Sequence, residues 1–507
     1  MHTLLCFALA FASAIAANVC AIPDFKKADC QIGQKAACLA ASCCWAPVSP
    51  NPNNVPWCYR NLTTPGPSAC LLHPATAPAP PFSSAQSVLR KNMLQNVDIG
   101  GLGGVVASPD TTVPGGGSYF FAWMRDGGLS MRTFLRTWPN ATAAQRAFVM
   151  SKMDRYVQWV IRAQGQTDPH GIDVRTEPKF NLPNGDIYQG GWCRPQTDGP
   201  GIRGTTLLLF AEQLLASGNA AYVQQFLWTG ADSVLNGGAI AYDLDWVAAN
   251  WFQASGCDLW EEVSSNSFFW NLVHQKLSMA IGSALALRLG DAKRAAVYLN
   301  ASQAIDGALM THWNGAFFFE ATNRQIDSAV TGALKYAFEL RHPAVSFPWG
   351  DATSSMVAQT VQAWVNTFCT QYAINQAMIG QPGFLIGRYP NDHYGGGGPW
   401  VLSVAQFATL FFEVAWALRT KGAVSAASLS AWNSILDASL QATDAKSLAA
   451  SLVSAGNGIL QRLEGLVGGQ YQYQLSEQID RVTGVPRSAY NLTWSYSEVL
   501  DSIHSRN

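Results

Sequence analysis

From residue 87 onward, apolar side chains return every three or four positions in one segment after another. The clearest are AAQRAFVMSKMDRYVQWVIRAQ (143–164), GTTLLLFAEQLLASG (204–218), SFFWNLVHQKLSMAIGSALALRLG (267–290), SSMVAQTVQAWVNTFCTQYAINQAM (354–378) and VLSVAQFATLFFEVAWALRTKG (401–422). That spacing is the period of an amphipathic helix, while alternating β-branched runs are few. With weaker stretches included, about a dozen helices fit over residues 87–507. Several are apolar over more than half their circumference, as helices packed on two sides are. The pattern predicts one large all-α domain but leaves the arrangement of its helices open.

The first residues have another character. LLCFALAFASAIAA (4–17) is a short apolar run ending in small residues, with Ala14-Ile15-Ala16 as a cleavage pattern. Residues 1–17 therefore read as an export signal and the mature protein as secreted. The most apolar later stretch, Val401 to Leu418, carries Gln406 and Glu413 and fits a buried helix better than a membrane span. Four Asn-x-Ser/Thr triplets, at Asn61, Asn140, Asn300 and Asn491, are compatible with secretion and glycosylation.

Composition sharpens the picture. Charged residues make up 13% and hydrophobic ones 48% of the 507 residues, against roughly 25% charged in ordinary soluble domains. Much of the chain must be buried, and a chain of this size can bury it in one core. The formal net charge of -1 exerts no long-range pull on nucleic acid or an anionic membrane. No motif calls for a cofactor or a metal, and we expect a monomer. The 18 tryptophans and 15 tyrosines suit platforms that stack on sugar rings and suit core packing equally well.

Six of the 11 cysteines fall at 20, 30, 38, 43, 44 and 58. So small a unit cannot stabilise itself by core burial, so in a secreted chain they read as a disulfide framework. Six cysteines allow fifteen pairings. The CCW doublet (43–45) and PWCY (56–59) resemble a trefoil (P-type) domain, here residues 18–62. The resemblance implies Cys20–Cys44, Cys30–Cys43 and Cys38–Cys58. It leaves open whether the module binds glycan or is a structural appendage. A Pro-, Ala- and Ser-rich linker follows over residues 63–86.

Residues with chemistry concentrate between helices: SYFFAWMRDGG (118–128), YQGGWCRPQTDGPGIRG (188–204), DLWEEV (258–263), GRYPNDHYGGGGPW (387–400), YQLSEQIDRVTG (473–484) and NLTWSY (491–496). Each has an ordinary reading as ion pair, turn or core, and DLWEEV also reads as a solvated helix start. Together they bring aromatic, arginine and carboxylate side chains to loops, where binding sites concentrate.

These blocks, in this order, resemble the glucoamylases of glycoside hydrolase family 15 over essentially the whole of residues 87–507. The resemblance implies an (α/α)6 barrel with its site at one end. It also implies an exo-acting hydrolase that releases β-D-glucose from the non-reducing ends of α-1,4-linked, and more slowly α-1,6-linked, glucans. Starch, glycogen and malto-oligosaccharides are then the partners. Position by position, Glu261 matches the general acid and Glu477 the general base. Arg125, Asp126 and Arg388 match residues that hydrogen-bond the terminal glucose. Tyr119, Trp123, Trp192, Trp400 and Trp494 match aromatics lining the pocket. Glu262 and Asp258 match carboxylates near the acid, and Tyr188 and Asp392 join the candidate sugar contacts from their loops. Trp260 is expected to supply an apolar wall for Glu261.

Physical reasoning agrees on the division of labour. Adjacent side chains diverge on a helix and on a strand, so Glu261 and Glu262 cannot flank one bond. Inversion needs two carboxyl groups roughly 6.5–9.5 Å apart with a water between them. Departures from the family pattern are Thr197, Asn391 and the Tyr490-Asn491 pair. Of the four cysteines after the trefoil, Cys193 and Cys257 border two loops that must both face the terminal glucose. Their pairing is favoured, with free thiols as the alternative. Other readings are a trehalase or other α-glucan hydrolase on the same barrel, or an inactive secreted glycan-binding protein. The presence of both Glu261 and Glu477 argues against the last.

Overall fold

The computed structural model describes residues 20, 27–30, 33–40, 43–50, 55, 57–61, 70–113, 117–230, 237–252 and 255–506. The expected export signal (1–17) and residues 63–69 of the expected linker lie outside the described residues. The cysteine-rich segment forms β1 (Lys27–Asp29), helix α1 (Lys35–Ala40), β2 (Cys44–Trp45) and β3 (Cys58–Asn61), with β3 central and antiparallel to both neighbours. Disulfides join Cys20 to Cys44, Cys30 to Cys43 and Cys38 to Cys58.

Among the described residues beyond it, twelve helices of ten or more residues alternate between two layers. The buried inner helices are α3 (Met124–Arg136), α5 (Gly199–Ala216), α7 (Phe269–Arg288), α9 (Ser328–Glu339), α11 (Val401–Lys421) and α13 (Thr493–Arg506). Each packs on the next, and α13 packs back on α3 to close the ring. Outside them lie α2 (Gln86–Gln95), α4 (Ala143–Gln164), α6 (Ala239–Asn250), α8 (Ala292–Thr311), α10 (Ser355–Gln371) and α12 (Ala445–Val467). This is the (α/α)6 barrel. Sequence supplies its starts and stops: Thr142 and Asp444 form capping boxes on α4 and α12, and Gly422 ends α11 in the left-handed region at φ 69°. Helix α11 is long and apolar enough to cross a membrane, but it is the buried core of the ring.

Composition misleads over residues 70–86. This part of the expected linker is fastened to the barrel by the Cys70–Cys369 disulfide, by a bridge between Leu72 and Leu436, and by Gln461 accepting from Thr76 and Ala77. Phe82 is fully buried. Short two-stranded antiparallel pairs lie beside the cavity end: β4 (Phe121–Trp123) with β5 (Lys179–Asn181), which two helices separate in sequence, and the hairpin of β6 (Gly256–Cys257) with β7 (Ser264–Ser265).

Candidate active site

Three inner helices, α3, α11 and α13, bring their N-terminal residues to a cavity of about 410 Å³. Trp123, Arg125 and Asp126 reach it from the start of α3, Leu402 from α11 and Trp494 from α13. The positive ends of these helix dipoles favour carboxylates at this end of the barrel.

DLWEEV is a tight turn between β6 and β7, not the start of a helix. Asp258 organises it: its Oδ1 accepts from the N–H groups of Glu262 (2.7 Å) and Val263 (3.0 Å), while its carbonyl accepts from Glu261. Glu261 sits at φ 67°, a left-handed conformation that costs a non-glycine residue energy and is held by these bonds. The two glutamates therefore diverge. Glu261 Oε1 accepts from Trp123 Nε1 (2.7 Å) and Gln196 Nε2 (2.9 Å), with Arg125 at 3.7 Å. Its Oε2 accepts from no side chain or backbone group among the described residues. Glu262 instead binds Arg388 (2.8 Å), Arg324 (3.1 Å) and the Tyr389 hydroxyl. Trp260 lines the cavity, yet its indole N–H goes to Asp327 and not towards Glu261. The hydrogen-bonding partners of the Glu261 carboxylate are Trp123 and Gln196, with Arg125 beside them, while Trp260 shares the cavity wall with it.

Glu477 enters from the loop before α13, held by backbone bonds to Val401 (3.0 Å) and Ala489 (2.7 Å). Its carboxylate accepts from Tyr119 Oη (2.8 Å) and from the Ser488 hydroxyl. Burial raises its proton affinity, while the Ser488 and Tyr119 donors and the Arg388 charge pull it back down. Burial also pushes the Asp126 carboxyl up to about 7, against the pull of Arg125.

Two guanidinium groups frame the cavity. Arg388 is gripped in a fork by Asp392 (2.7 and 2.8 Å) and lies among the rings of Trp260, Tyr394 and Trp400. Arg125 is fixed by Gln196 (3.0 Å) and Asp198 (3.1 Å) beneath Trp494.

The cavity wall brings together Glu261 and Glu477 with Tyr119, Trp123, Arg125, Asp126, Trp192, Glu262, Arg388, Trp400 and Trp494. Tyr188 and Asp392 stand behind it. Tyr188 packs edge-on against Trp192 and Phe121, and both oxygens of Asp392 serve Arg388. Sequence reasoning missed Tyr394, which lines the cavity and bonds the Tyr119 hydroxyl, and Gln196, which touches both Glu261 and Arg125. The departures are absorbed locally: Thr197 accepts from Asn271 (2.8 Å), and Asn491 Oδ1 accepts from Tyr496 (2.6 Å). Cys193 and Cys257 form a disulfide with Cα atoms 5.9 Å apart, tying the Trp192 loop to the Glu261 turn.

Aromatic walls, arginine forks and two carboxylates from separate loops at the end of an (α/α)6 barrel define a glycoside hydrolase. The chain belongs to the glycosyl hydrolases family 15, whose profile matches residues 84–504; the trefoil (P-type) profile matches residues 20–61. It is 30% identical over 460 residues to Glucoamylase-1 of Schizophyllum commune, covering 85% of this chain and 75% of that one. It is 29% identical over 448 residues to Glucoamylase 1 of Rhizopus oryzae, covering 83% and 70%. The solved family 15 glucoamylase of Hypocrea jecorina superposes with a TM-score of 0.73 at 25% identity, covering 84% of this chain and 72% of that one.

Proposed function

We propose that the chain is a secreted glucoamylase that removes glucose from the non-reducing ends of α-1,4-linked glucans, and more slowly of α-1,6-linked ones, with inversion. The observation that carries this reading is the pair of carboxylates on one aromatic cavity, each held by a different loop with different partners. Glu261 protonates the glycosidic oxygen through Oε2, to which no described residue donates a hydrogen bond. Glu477, ionised, draws a proton from the attacking water, with Tyr119 and Ser488 orienting it. Arg125, Asp126 and Arg388 hold the hydroxyls of the terminal glucose, and Glu262 and Asp392 hold Arg388. The aromatic walls of Trp123, Trp192, Trp400 and Trp494 take the ring faces.

Incubating the purified protein with maltose, soluble starch, isomaltose and trehalose tests the reading. Glucose should come from maltose and starch, more slowly from isomaltose, and not from trehalose. Release from trehalose alone would replace the substrate assignment, and release from none would remove the activity.

A further inference from the structure

Lys179 has a role that neither carboxylate explains. The pairing of β4 with β5 sets it directly opposite Trp123, and its side chain is buried. Its ammonium lies 3.4 Å from the ring centroid of Trp192, 4.2 Å from those of Phe121 and Tyr188, and 4.8 Å from that of Trp123. Among the described residues no oxygen accepts a hydrogen bond from it. Glu177, two positions earlier, is already bound to Arg194 (2.5 Å) and to the Lys179 backbone N–H.

A buried cation without an anionic partner is stabilised by the negative faces of the rings around it, so each ring is constrained to turn a face inward. Two of the four rings, Trp123 and Trp192, line the cavity, and Trp123 also donates to Glu261. We propose that Lys179 is a positioning residue: its ammonium orients the Trp192–Tyr188 wall of the sugar cleft and, through Trp123, the Glu261 carboxyl. The proposal rests on the reading of this cavity as a glucan site. The charged groups facing Lys179 are Glu261, Glu177 and Arg194; burial lowers the ammonium to about 8, with Glu261 acting in the opposite direction. The cation therefore persists across acidic pH and is lost above about 8.

Lys179→Met keeps the length and removes the charge, and Lys179→Arg keeps the charge. With maltotriose as substrate, Lys179→Met should raise KM at least fivefold with a smaller change in kcat. It should also displace the alkaline limb of the pH profile, because a charge that faces the Glu261 carboxyl is removed. Lys179→Arg should return the limb towards its original position. The unliganded, unsubstituted protein should show a tryptophan emission change centred near pH 8 that is absent from Lys179→Met. A folded Met variant with unchanged KM and an unmoved limb would overturn the proposal. If the Met variant does not fold, flat emission between pH 7 and 9 in the unsubstituted protein overturns it. An unsubstituted protein that releases no glucose from maltotriose counts against the proposed function, and the emission titration then decides alone on Lys179.

Discussion

Glu477 must be ionised when it takes a proton from water, yet burial works against its charge. The Ser488 hydroxyl is the largest force opposing that burial, followed by the Tyr119 hydroxyl. A donor to a carboxylate favours the ionised form, so its removal lets the proton bind at higher pH. Ser488→Ala should therefore shift the acidic limb of kcat/KM to higher pH and leave the alkaline limb in place. A limb that stays or moves down contradicts this account of the base. Glu261→Gln and Glu477→Gln should each lower kcat by about 10²–10⁴-fold, while maltose still quenches tryptophan fluorescence. Near-normal turnover in either purified variant removes that residue from its role. The glutamates, arginines and tryptophans were legible because each sits in a compact run of unusual residues. Lys179, Gln196 and Ser488 were not, because their meaning lies in partners elsewhere in the chain. Lys179 within EPKFN is an ordinary strand position until Trp192 folds over it. Tyr394 is hidden the same way, one tyrosine ahead of a glycine run.

At the scale of elements, the catalytic turn depends on its neighbours more than on its own six residues. The β6–β7 hairpin approaches Pro195 so closely that a Cβ at Gly256 would meet its carbonyl oxygen at 2.9 Å. Cys257 donates its N–H to the same carbonyl at 2.8 Å, and its disulfide to Cys193 fixes the aromatic loop beside it. The bridge spans 64 residues, for which loop-closure entropy gives about 4 kcal/mol. Replacing both cysteines with serine should lower Tm by about 5 °C and raise KM for maltose as Trp192 loosens. Scanning calorimetry and steady-state kinetics check the two effects; an unchanged Tm would mean that the hairpin contacts suffice. Helix period located the long helices to within a few residues, as in α4, whose apolar repeat spans the whole helix. Periodicity could not show DLWEEV as a turn, because Asp258 stabilises it through two backbone N–H groups that no side-chain pattern reveals.

For the molecule as a whole, amphipathic period implies burial on both faces but not closure. Closure rests on α13 packing against α3, from opposite ends of the barrel sequence, and on Arg136 reaching Glu339 (2.7 Å) and Ser505 (2.8 Å). It also rests on residues 70–86, whose Pro- and Ala-rich composition conceals contacts to Leu436 and Gln461 made more than 350 residues away. What closure achieves is convergence: the Glu261 turn and the Glu477 loop are brought to one cavity from distant parts of the chain. If those two carboxylates act from opposite sides of the scissile bond with water as the nucleophile, the configuration at the anomeric carbon must invert. Proton NMR of the glucose first released from maltotriose, recorded before mutarotation, reads that configuration directly. The account predicts the β-anomer, and predominant α-glucose at the earliest times would contradict it.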